Sequence, residues 1–84
     1  MLSWESHNST PVTDLNDAPN NKFIWVNNSD LQNAPEKGAM HVLTLVTVRN
    51  SHGFQIAIKF NNNAMYIRTK ADNEWEAWKS ITLI

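Results

Sequence analysis

Two-residue alternation of apolar and polar side chains runs through the second half of the chain and predicts strands. Residues 54–60 (FQIAIKF) alternate without interruption, with Phe54, Ile56, Ile58 and Phe60 expected inward and Gln55, Ala57 and Lys59 outward. Residues 65–70 (MYIRTK) alternate again and set Met65 and Ile67 opposite Tyr66 and Arg68. Residues 40–49 (MHVLTLVTVR) are apolar on both faces, with Met40, Val42, Val46 and Val48 on one and Leu43 and Leu45 on the other. That is the pattern of a central strand covered on both sides. A last strand is expected around Ile81 and Leu83, after a segment carrying Trp75 and Trp78. The intervening turns are short (NSHG at 50–53, three asparagines at 61–63, then 71–74), and short connections join antiparallel neighbours.

The first half is less regular. Residues 1–11 show no periodicity and read as an arm with one apolar anchor, Trp4. Residues 13–18 (TDLNDA) suit one helical turn, capped by Thr13 or Asp14, closed by Pro19 and turning Leu15 inward. Residues 23–27 (FIWVN) are β-branched and aromatic, hence a strand, and residues 28–38 read as a long loop across the domain. The expected fold is therefore mainly all-β: a small antiparallel meander forming a sandwich or partly open barrel, with one helical turn. Residues 1–12 are assigned to a linker or extended arm and residues 13–84 to a single domain.

Composition sharpens this picture at three points. The chain has 84 residues and no cysteine, so neither disulfides nor thiolate metal sites support its small core. Chains of this size commonly compensate by association, and self-association or attachment to a larger protein is expected. Twelve asparagines stand against two glycines, and asparagine tolerates left-handed turn conformations. The net charge of −1 disfavours a partner read through phosphates, so no nucleic acid is expected. No apolar run is long enough for a membrane-spanning helix.

Candidate chemistry is of the binding kind. The histidines (His7, His41 and His52) are scattered and accompany no nucleophile elbow, metal-ligand pair or phosphate loop, so no catalytic residue, metal or cofactor is expected. Indole and phenol faces stack on the C–H faces of sugars, while amides and carboxylates bond their hydroxyls. The glycan-binding candidates are Trp75, Tyr66, Arg68 and Trp25. Against this reading, aromatics in a small domain tend to form the core. Trp25 and Trp78 are expected to be buried there, Trp75 is balanced between core and surface, and Trp4 suits packing on a neighbouring chain. Arg68 suits an acidic sugar, a local carboxylate or an indole face.

Residues 13–25 (TDLNDAPNNKFIW), 33–38 (NAPEKG), 65–70 (MYIRTK) and 75–78 (WEAW), in this order and spacing, resemble the pyocin-knob type of domain of bacteriophage tail fibres and receptor-binding proteins. The resemblance covers about residues 13–80. It departs before Phe23, where the family has glycine and this chain has Asn21 and Lys22. It implies a virion or prophage-encoded particle, a homotrimeric fibre, and attachment to bacterial cell-surface carbohydrate. A purely structural trimerisation or capping module, or an accessory domain of a glycan-degrading phage enzyme, are the alternatives. The motif residues are Leu15, Asn16, Asn33, Pro35, Tyr66, Arg68, Trp75 and Trp78, most of them read as scaffold.

Overall fold

Alternating strands with short connections curl into one antiparallel sheet, a half-barrel in the computed structural model, which describes residues 3–6, 12–47, 51–60 and 64–81. The strands are β1 (Ser3–Ser6), β2 (Lys22–Asn28), β3 (Gly38–Thr47), β4 (His52–Lys59), β5 (Met65–Ala71), β6 (Glu74–Trp75) and β7 (Lys79–Ile81). Spatial order follows the chain from β1 to β6, while β7 also pairs with β5. The all-β expectation holds. The amino-terminal arm contributes more than expected, because Ser3–Ser6 pairs in parallel with β2 at one edge.

The helical turn is a single 3-10 turn, Leu15–Asp17, with Asp14 as its cap. Asp14 Oδ1 accepts from the backbone N–H of Asn16 at 2.8 Å, satisfying a donor that the turn leaves unpaired. The turn is clipped to the long loop by Leu15 N–H to Gln32 O (3.0 Å) and Gln32 N–H to Thr13 O (2.9 Å). Leu15 and, from the loop, Leu31 are thereby pressed onto the inner face of the sheet. There they join Ile24, Val26, Met40, Val42 and Ala57 in the core.

Asparagine does the conformational work that its abundance suggested. Asn21 (φ 58°), Asn33 (φ 55°) and Asn73 (φ 67°) all occupy the left-handed region. At Asn21, just before Lys22 and Phe23, asparagine takes the left-handed backbone expected of it in place of glycine. Its neighbour Asn20 closes the edge of β3, its amide donating to Val46 O (2.8 Å) and accepting from Val46 N–H (2.6 Å). The asparagine turn at 61–63 lies outside the described residues, as do Val48 and Leu83.

The faces of β4 correct the sequence reading. The alternation is as expected, but Gln55 and Ala57 are fully buried, whereas Phe54, Ile56 and Ile58 are half-buried on the outer face and Phe60 is exposed. The inner face is the one roofed by Leu15, Leu31 and the loops. At Gln55 it supplies the bonds a buried amide needs, which side-chain hydrophobicity alone does not register. Trp25 is corrected in the same way. It lies half-buried on the outer face, in register with His41, rather than in the core.

Gly53, in register with Val46, leaves no room for a side chain between β4 and β3. A Cβ there would lie 2.6 Å from the Val46 Cα and nearer still to the Leu45 carbonyl oxygen, and both are backbone atoms that cannot swing aside. Gly53→Ala is therefore expected to destabilise the domain by about 1–3 kcal/mol. Thermal unfolding would register this as a fall of roughly 4–8 °C per kcal/mol at this chain length. An unchanged midpoint would contradict the packing described.

Candidate functional site

Register brings three polar side chains into one buried row. Thr44 pairs with Gln55 and Gln55 with Arg68, across β3, β4 and β5. The three are 2%, 0% and 5% exposed. Gln55 spends its whole amide inside the protein. Its Nε2 donates to Leu15 O (2.8 Å) and to Thr44 Oγ1 (3.1 Å), and its Oε1 accepts from Arg68 Nε (2.7 Å). Burial pushes the Arg68 guanidinium down to about 10, against the opposing charge of Asp14, so it remains protonated at neutral pH.

A gap in strand pairing exposes the far end of this row. β6 and β7 pair with the same edge of β5 at Lys70–Ala71 and at Met65–Ile67, leaving Arg68 and Thr69 between them. Residues 76–78 arch over that interval, tied down by Glu76 N–H to Thr69 O (2.8 Å) and by Trp78 Nε1–H to Asn33 O (2.8 Å). Trp75 at the end of β6 and Trp78 in the arch both bring their indoles to the guanidinium. Arg68 Cζ lies 4.4 Å from the Trp75 ring centroid and 4.7 Å from that of Trp78, with Lys70 Nζ 5.4 Å from the Trp75 ring.

The arch, the 3-10 turn and the long loop enclose an open groove of about 540 Å³. Its lining includes the indoles of Trp75 and Trp78, the Arg68 side chain, Asn16 and Asn33, and the residues Glu74 and Glu76. Asn33 is fixed by its Nδ2 donating to Asp14 Oδ1 (2.9 Å). Arg68 Nη2 is the buried side-chain polar atom without a hydrogen-bond partner among the described residues.

Of the candidate residues, the fold unites Trp75 with Arg68 and adds Trp78. Tyr66 shares the inner face, but its hydroxyl donates to Glu36, which raises the phenol above its usual value first through that bond and then through burial. Trp25 is on the opposite face, 4.9 Å from His41 and 5.5 Å from Phe60 by ring centroids. The four do not form one site. Asn16 was already in view as a motif residue, but nothing in its local sequence marked it as facing Trp75. Among the described residues no group of three or more potential ligands could hold a metal ion. No helix there is long and apolar enough to cross a membrane.

Residues 4–81 match the XkdV N-terminal domain, and the chain belongs to that family. The family is phage-derived, from a PBSX-like prophage protein, and its role is that of a phage structural domain. No curated protein and no solved structure matches significantly.

The buried row makes a quantitative expectation. Gln55→Leu strands Arg68 Nε and the Leu15 carbonyl, and should cost about 2–4 kcal/mol in urea unfolding. Arg68→Met keeps a side chain between the indoles, so the double variant should recover part of the loss. Strict additivity of the two single losses would contradict the coupling.

Proposed function

We propose that the domain is a non-catalytic attachment module of a phage tail fibre or baseplate, binding bacterial surface glycan in the groove under the 76–78 arch. The groove's composition carries this reading: two indoles at its wall, three asparagines and two glutamates around an open volume of sugar size. Membership of a phage-derived family supports it, as does the resemblance to pyocin-knob domains. Arg68 acts as the buttress of the wall, holding both indoles at fixed angles. Glu74 and Glu76 favour neutral or amino sugars over acidic ones, since a second anion beside them would be repelled. Tyr66 and Trp25, engaged elsewhere, have no place in the site.

An open groove of this size gives weak binding at each site, and repeated copies in an assembled particle would raise it by roughly 10²–10⁴. Titration of the 84-residue chain with fragments of cell wall and capsule, read by tryptophan fluorescence and amide shifts, tests the proposal. Saturable shifts at Trp75 and Asn33, lost at least tenfold in affinity in Trp75→Ala, are expected. If about 10 mM of every fragment leaves these signals still, the domain is a structural spacer or cap without a ligand.

A further inference from the structure

The outer face of the sheet is apolar, and none of the described residues covers it. Register places Trp25, Leu43, Leu45, Phe54, Ile56 and Ile58 side by side across β2, β3 and β4. All six are only half-buried, and the exposed Trp4 and Phe60, at 62% and 63%, flank them. The described strands touch their sheet neighbours and the roof on the inner side, and none crosses this outer face. Sheets reach stability by packing each apolar face on another layer. Here the inner face has its layer and the outer one has none.

We infer that this face is covered by a second copy of the chain, sheet against sheet. Two observations select that occupant. The first is charge. Within the central patch His41 is the one titratable side chain, beside Trp25 in register, and Lys79 stands only at the β7 rim. The patch therefore offers nothing to a charged partner, and pairing it with itself brings no like charges together. A sugar is equally poorly served, because the Trp25 ring is already packed by His41 and Phe60. The second is area. β5 continues the face, with Met65 and Ile67 in register with Ile58 and Ile56, so four paired strands at about 4.8 Å spacing, each about seven residues long at 3.3 Å rise, present a footprint of roughly 450 Å². Trp4 on β1 extends it, and two such footprints reach about 1,000 Å², where specific interfaces begin. A cysteine-free chain of 84 residues gains from the added layer the burial it lacks alone.

The inference is independent of glycan binding, which uses the inner side and the arch. Sedimentation equilibrium of the 84-residue chain at about 1–100 µM should show a mass above the 9.6 kDa of one chain. Ile56→Lys and Leu43→Lys, each at the centre of the patch, should weaken association at least tenfold. Ser29→Lys, in the exposed turn after β2, should not. Circular dichroism of each variant separates lost association from lost folding. Because the chain has no native cysteine, Ile56→Cys offers a second reading that does not depend on lysine. It should form an intermolecular disulfide on mild oxidation much faster than Ser29→Cys. A monomer at 100 µM, an oligomer that both lysine variants leave intact while folded, or equal crosslinking at the two positions would overturn the inference.

Discussion

The buried row Thr44–Gln55–Arg68 sets the terms for the rest of the sheet. Slipping either pairing by one residue would carry each of these side chains to the opposite face and bring Leu43, Ile56 and Ile67 inward. Hydrophobic burial alone would not oppose such a slip, since the outer set is at least as apolar as the inner one. What opposes it is the loss of the bonds these side chains make on the inner side, where the Leu15 carbonyl would be left buried without its donor at a cost of about 1–3 kcal/mol. The Leu15 carbonyl, presented by the 3-10 turn, is what Gln55 reaches for on the inner side. The small turn thus fixes the orientation of a sheet several times its size.

This explains why the strands were legible in the sequence and their faces were not. Period-two alternation at 54–60 and 65–70 reports pleat and pairing, and the structure keeps both. Which side faces inward depends on what arrives from elsewhere in the chain, here Leu15, Leu31 and one carbonyl oxygen, all distant in sequence from Gln55. A hydrophobic count favours Phe54, Ile56 and Ile58, and it misleads because the outer face is itself apolar. β1 was illegible for a different reason: four residues at a sheet edge, paired in parallel, leave too short a pattern to read.

The candidate site divides along the same line. Trp75 and Arg68 were both singled out from the sequence, whereas Trp78, expected in the core, joins them only through the arch that follows β5. The amide side of the groove was not legible, because Asn16 in the 3-10 turn and Asn33 in the long loop meet through tertiary contacts between those segments, among them the Asp14 carboxylate, which accepts from both. Composition did hint at it. A chain rich in asparagine and poor in glycine builds its turns from side chains that also donate and accept, so the turns themselves line the groove with polar groups. Asn33 does both, holding a left-handed backbone and lining the groove.

The two surfaces place opposite demands on the same sheet, and the buried row separates them. A recognition groove gains from rigidity, because each side chain already ordered lowers the entropy lost on binding. Arg68 supplies that rigidity by joining the indoles of the arch to Gln55 at the centre of the sheet. An association face gains from breadth and needs no such anchoring. With the groove on the inner side and the apolar patch on the outer one, copies assembled through the patch would each leave a groove open to the surroundings. Grooves held at a fixed separation then act together, and weak individual contacts suffice for firm attachment. On the proposed reading, association and recognition would be complementary consequences of one alternating pattern whose two faces carry different chemistry.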